Sequence, residues 1–124
     1  MRQPNREDQD DGTGPLRGIP YLSELEPELR GAVILGPAGE VIESSVPSAS
    51  GFAEAASSLV DDLVAHRDEP LDSAHIASDD AEVFVVREAG LTLVAVAARF
   101  VLASLMTYDI RMTLRDLSAE AARG

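Results

Sequence analysis

The chain has 124 residues and a formal net charge of −12, and because it contains no lysine its ten basic residues are all arginine. Such an acidic surface repels phosphate backbones and anionic lipids, so we expect the protein neither to bind nucleic acid nor to insert into a membrane. The absence of cysteine excludes disulfides and thiolate chemistry. No signal-like or membrane-spanning apolar run is evident, which favours a cytoplasmic protein.

The N-terminal region predicts an acidic tail followed by one domain. Residues 1–18 combine glycine, proline and acidic side chains with almost nothing to bury, so we expect them to be disordered. Residues 19–122 form the predicted domain. Leucines at helical spacing over 19–29 indicate a helix, with Ser23 as its candidate cap. Pro27 and Gly31 limit this helix to a short one.

A tight hairpin comes next, with strands predicted over 30–35 and 40–45. Pro37 presets φ for the turn and Gly39 supplies the positive φ that closes it. The first strand is continuously apolar, as in a central strand, whereas the second is mixed, as near a sheet edge. The turn leads into a strand and Pro37 lacks an N–H, which favours a hairpin over a phosphate-binding loop.

The helix predicted over 51–67 has more apolar surface than one sheet requires. Ser48 or Ser50 can cap it, and Glu54 lies in its first turn. At about 100° per residue the apolar arc spans roughly 180°, against about 100° for a helix that covers one sheet. One part faces the sheet. The other part meets either a second chain or a loop or N-terminal segment of the same chain.

Three strands and a long helix complete the domain. The strand over 71–78 is weakly hydrophobic and is predicted to lie at an exposed edge, where a second chain can pair. The strands over 81–87 and 91–97 are the most apolar and are predicted to be central. The helix over 101–122 carries two apolar stripes: Val101, Leu105, Tyr108 and Met112 in one, and Leu102, Met106, Ile110 and Leu117 in the other.

This order predicts one α+β sheet layered with helices. Without lysine, a Walker-type phosphate site cannot form in the usual way. His66 and His75 lack metal-site spacing, and the acidic run over 79–82 lacks the spacing of an EF-hand. We therefore predict no catalytic residue, no cofactor and no metal. His75 remains a candidate pH sensor if two chains pair along its strand.

Two segments carry a family resemblance: GAVILGPAGEVIESS at 31–45 and VFVVREAGLTLVAV at 83–96, followed by the helix over 102–117. They resemble the roadblock / dynein light-chain family, particularly its bacterial members, over residues 19–117. The resemblance implies a five-stranded antiparallel sheet with helices on both faces, in a profilin-like layering. It also implies dimers through the third strands and second helices, and regulation or scaffolding of small Ras-like GTPases.

One feature departs from that family. Its members usually begin with a full helix beside the final helix, whereas here the first helix is short and Pro27 interrupts it. Residues 19–29 therefore either cover the final helix irregularly or leave part of its stripe open for a partner.

The sequence is interpreted as a non-enzymatic homodimeric regulator or adaptor that binds a small Ras-like GTPase or a related signalling complex. The alternatives are a small-molecule-sensing α+β domain and a purely structural scaffold subunit. The predicted dimer interface comprises Ala53, Ala56, Val60, Val64, Ser73, Ala74, His75 and Ile76. The predicted partner surface comprises Leu102, Met106, Ile110, Asp61 and Asp62.

Overall fold

The computed structural model describes residues 17–47, 50–98 and 101–123. Its elements are α1 (Gly18–Leu25), β1 (Leu29–Leu35), β2 (Val41–Ser44), α2 (Phe52–Ala65), β3 (Ser73–Ala77), β4 (Ala81–Glu88), β5 (Leu91–Ala98) and α3 (Ala103–Arg123). The predicted order is confirmed, and boundaries shift by a few residues. Ser48 and residues 1–16 of the predicted acidic tail lie outside the described residues.

The five strands form one antiparallel sheet in the order β2-β1-β5-β4-β3. The predicted positions are confirmed, since β1, β5 and β4 are interior while β2 and β3 form the edges. Gly39 has a φ of 84° in the β1–β2 turn. The β4–β5 turn consists of Ala89 and Gly90, with φ values of 55° and 81°. Two residues with positive φ match the type I′ turn of short hairpins.

Helices cover both faces of the sheet because successive strand residues point to opposite sides. On one face, α1 and α3 pack over the sheet, burying Leu22, Met106 and Ile110 against a layer that includes Ile34, Phe84 and Leu93. On the other face, α2 packs through Ala56 and Val60 over a layer that includes Val33, Val85 and Val94. The α+β fold with helices on both faces is thus confirmed.

Helix α1 starts earlier than predicted and is not capped by Ser23. It begins at Gly18, where the side chain of Glu43 in β2 accepts a hydrogen bond from the Ile19 N–H at 3.4 Å. Gly18 has a φ of 64°, and a Cβ at this position would collide with the Glu43 carboxylate. A carboxylate near the first turn is favourable because it complements the helix dipole. The cap therefore comes from another element.

Candidate protein-interaction surfaces

Strand β3 leaves one edge open in the described part of the chain. Arg87 N–H donates to the carbonyl of Asp72 at 2.8 Å, and Ser78 N–H donates to that of Ala81 at 2.9 Å. Bonded pairs alternate along an antiparallel ladder. Ala74 and Ile76 therefore bond to β4, whereas the backbone groups of the remaining three residues point outward, namely those of Ser73, His75 and Ala77. Such a row is a template for another strand.

The side chains predicted for the interface on β3 divide between the two faces of the sheet. Ala74 packs at the margin of the core beneath α2, and Ile76 pairs with Val83 on the same face and is 40% exposed. Ser73 and His75 belong to the opposite face, which α3 covers. A second chain pairing with β3 would therefore contact side chains on both sides of the sheet.

The imidazole of His75 lies against β4. It stacks on the ring of Phe84, with the centroids 4.5 Å apart and an angle of 5° between the planes. Its Nε2 lies 2.6 Å from Oε1 of the buried Glu82. In the described residues, no group of three or more potential ligands is arranged to hold a metal ion. The His75 ring is therefore fixed beside the open edge by two contacts within the chain.

The structure corrects the placement of two predicted interface residues on α2. Ala56 and Val60 are 4% and 5% exposed because they form the line of the helix that packs on the sheet. Ala53 is half-buried and Val64 is 43% exposed on one flank of that line. Because the apolar arc of α2 is wide, the sequence alone does not distinguish the residues that pack on the sheet from those on the flank.

The outward side of α2 is acidic. Glu54, Asp61 and Asp62 are all exposed on it, and Glu54 lies in the first turn of the helix, as predicted. Asp61 and Ser57 also line an open cavity of about 230 Å³ with Arg87 and the β1–β2 turn. This helix thus presents carboxylates beside its partly exposed apolar flank.

The structure also corrects two predicted partner-binding residues on α3. Met106 and Ile110 are fully buried between the helix and the sheet, where they contact the same core as Ile19 and Leu22 of α1. Leu102 remains 68% exposed. The outward apolar residues include Leu105 and Tyr108, which the sequence placed in the other stripe. The first helix therefore covers part of α3 and leaves part of it exposed.

An ion-pair cluster joins α3 to the sheet. The guanidinium of Arg111 bonds to Asp72 at 3.0 Å and to Glu88 at 2.9 Å, and Arg115 bonds to Glu88 at 2.8 Å. Hydrogen bonds from Arg115 and then Arg111 lower the pKa of Glu88, and the bond to Glu88 raises the pKa of Arg111. The sequence did not indicate this cluster because its members are distant along the chain.

A pair of carboxyl groups lies where α1 meets α3. Glu26 is 8% exposed, and its Oε2 has no hydrogen-bond partner among the described residues. Burial, together with a hydrogen bond to Asp109 and the charge of Asp109, raises the pKa of Glu26 to about 7. The sequence shows an acidic residue just after one helix and another within a second helix, but it does not indicate that the two meet.

A surface cavity of about 430 Å³ lies between the β1–β2 and β4–β5 turns. Arg87 lines it, and its Nε donates to Thr92 Oγ1 at 3.1 Å. The Gly36 and Gly39 amides bond to oxygens within their own turn, and the Ala38 amide donates to Glu40 at 2.9 Å. The backbone amides of this turn are therefore hydrogen-bonded within the turn itself, and the turn is a hairpin, as predicted.

Comparison with solved structures identifies the fold. A Roadblock/LC7 domain from Streptomyces avermitilis is 21% identical with a TM-score of 0.66, covering 83% of this chain and 93% of that one. The gliding protein MglB from Thermus thermophilus is 16% identical with a TM-score of 0.64, covering 88% and 96%. Profilin IA of Acanthamoeba castellanii is 17% identical with a TM-score of 0.52, covering 82% and 97%.

The chain therefore has the roadblock/LC7 fold within the wider profilin-like layering, as the resemblance predicted. No protein-family model matches the chain, and no curated protein is significantly similar to it in sequence. Among the described residues, no helix combines the length and apolar character needed to cross a membrane.

Proposed function

We propose that this protein is a non-enzymatic, cytoplasmic homodimer that regulates a small Ras-like GTPase or serves as its adaptor. The observation that carries the proposal is the open edge of β3, where Ser73, His75 and Ala77 direct their backbone groups outward. The roadblock/LC7 fold and the acidic outward side of α2 support it. The partner class follows from the resemblance of 31–45 and 83–96 to GTPase-associated roadblock proteins.

Dimerisation occurs by antiparallel pairing of two β3 strands. Identical antiparallel strands make a self-complementary contact around a twofold axis, joining two five-stranded sheets into one. Three residues of each edge offer a donor and an acceptor. A five-residue strand alone buries less than the ~1,200 Å² of a stable interface, so side chains beside it must contribute. Ala74, Ile76 and the apolar flank of α2, with Ala53 and Val64, are the proposed contributors.

The dimer acts on its GTPase by binding one nucleotide state more tightly than the other. A ligand shifts a conformational equilibrium only through such a difference in affinity. The exposed carboxylates of Asp61 and Asp62 suit a basic GTPase surface, and complementary charge accelerates association. The proposal assigns no catalytic group to this chain.

Affinity capture tests the partner class. The full chain is immobilised and exposed to cell extract containing either GDP or a non-hydrolysable GTP analogue, and the recovered proteins are identified by mass spectrometry. We expect a Ras-like GTPase enriched in one nucleotide state and reduced by the double substitution of Asp61 and Asp62 to Asn. Equal recovery in both states contradicts regulation and supports an adaptor. Recovery of no GTPase contradicts both.

A further inference from the structure

Three large apolar side chains are exposed in a row at the start of α3, the first of them directly before the helix begins. Leu102, Leu105 and Tyr108 are 68%, 49% and 61% exposed. Residues three apart share one side of a helix, so the three form a continuous line, here called the α3 stripe. It lies away from the Met106–Ile110 line that packs on the sheet. Contiguous exposed apolar surface of this kind marks an interaction site.

Helix α1 extends the same surface. Its C-terminal end meets α3 where Glu26, the residue after the helix, contacts Asp109, one residue beyond Tyr108. Leu25 at that end is 41% exposed. The short first helix therefore ends beside the α3 stripe without covering it. An exposed apolar surface on one helix, beside the end of another, suits an amphipathic helix that inserts side chains at helical spacing.

The charges around the α3 stripe are predominantly negative. Glu24 and Glu28 are exposed at the end of α1, and Asp109 and Asp116 lie along α3. Of the basic side chains that the structure describes on α3, Arg111 and Arg115 are both engaged in ion pairs. Among the described residues, the border of the stripe therefore carries more carboxylates than free basic groups, and these carboxylates complement lysine or arginine on a partner.

We propose that the α3 stripe is a docking site for a basic amphipathic helix of a partner protein. The site lies on the sheet face opposite α2 and does not use the open edge of β3. It therefore goes beyond the proposed dimer and is independent of it. A second copy of this chain would bring like charges together at the same surface, and an anionic membrane would be repelled.

A designed peptide tests the proposal directly. The probe is a fluorescent 14-residue amphipathic helix of leucine and lysine, with a leucine–glutamate peptide of the same pattern as its counterpart. Binding to the full chain is followed by fluorescence anisotropy in moderate salt. We expect the lysine peptide to bind and the glutamate peptide to bind at least about tenfold more weakly, because like charges oppose association.

Two matched variants locate the site. Leu105→Asp removes an apolar contact while adding a negative charge, so a loss of affinity for the lysine peptide cannot come from weaker electrostatics. Ile42→Asp makes the same change at another apolar side chain, 49% exposed in β2. We expect at least about tenfold weaker binding for the first variant and unchanged binding for the second. Circular dichroism verifies that both variants are folded.

Three results would overturn the proposal. Equal binding by Leu105→Asp and the original chain would remove the stripe as the site. Comparable binding of the glutamate peptide would remove the charge argument. A fall in the solution mass of the chain caused by Leu105→Asp, with peptide binding unchanged, would assign the stripe to a second copy instead.

Discussion

Glu26, which precedes Pro27, affects the stability of the protein because folding buries it against α3. Its folded-state pKa of about 7 exceeds the ordinary value of 4.5 because of burial and the neighbouring Asp109. As pH rises, the Glu26 carboxyl therefore loses its proton at a lower pH in the unfolded chain than in the folded one. The free energy of unfolding consequently falls between about pH 4.5 and 7. At pH 8 the loss amounts to about 3 kcal/mol.

Glu26→Gln removes this ionisation and should raise the free energy of unfolding at pH 8 by up to about 3 kcal/mol, with little change at pH 4.5. Urea unfolding of both proteins at the two pH values measures the difference. Glu24→Gln, at an exposed position two residues earlier in α1, is the control and should change little at either pH. An identical pH dependence in the original chain and Glu26→Gln would show that Glu26 ionises normally.

Ala89 adopts a φ of 55°, which is unfavourable for a residue with a Cβ. Asparagine tolerates this region and, followed by glycine, is preferred in two-residue hairpins. Ala89→Asn should therefore stabilise the protein by about 0.5–1 kcal/mol, measured by thermal unfolding. Ala38→Asn, an exposed change in the other hairpin turn, should give no comparable gain; equal gains would indicate that turn strain is not the cause.

At the residue scale, turn chemistry was predictable and tertiary caps were not. Pro37 and Gly39 specify their hairpin through local backbone preferences, and the structure confirms it. The start of α1 depends on Glu43, which is 24 residues from Ile19. Likewise, the raised pKa of Glu26 requires a residue from α3. Local sequence does not specify which distant side chain contacts a given residue in the folded chain.

At the scale of elements, helical periodicity identified the apolar stripes of α3 but not which one faces the sheet. Both stripes carry leucine and methionine, so their hydrophobicity does not distinguish them. Met106 and Ile110 are buried because α1 packs beside them and completes that core. The same ambiguity affected α2, where Ala56 and Val60 line the sheet within a wide apolar arc.

Alanine substitutions test the orientation of α3. Ile110→Ala should destabilise the protein by about 2–5 kcal/mol, because it removes packed atoms and leaves a cavity. Leu105→Ala removes a side chain that is 49% exposed and should change stability by less than about 1 kcal/mol. Both values come from urea unfolding monitored by circular dichroism. Equal losses, or a larger loss at Leu105, would reverse the assigned faces.

For the whole molecule, the order of strands and helices was readable because each segment has its own periodicity and turn signals. The edge positions of β2 and β3 were also readable, since both segments are polar compared with β1, β4 and β5. The surfaces proposed to contact other chains could not be predicted in detail from the sequence. They depend on which side of each helix remains uncovered once the sheet has formed.

The most direct test of the account is the solution mass of the full chain and two proline variants, determined by light scattering during gel filtration. Ala77→Pro removes an outward N–H from β3 without removing a bond to β4. Ser44→Pro does the same at β2, where Ser45 makes the ladder bond to Ala32 at 3.0 Å. We expect twice the chain mass for the original protein and Ser44→Pro, and the mass of one chain for Ala77→Pro. A monomeric original protein, or a dimeric Ala77→Pro, would contradict dimerisation through the β3 edge.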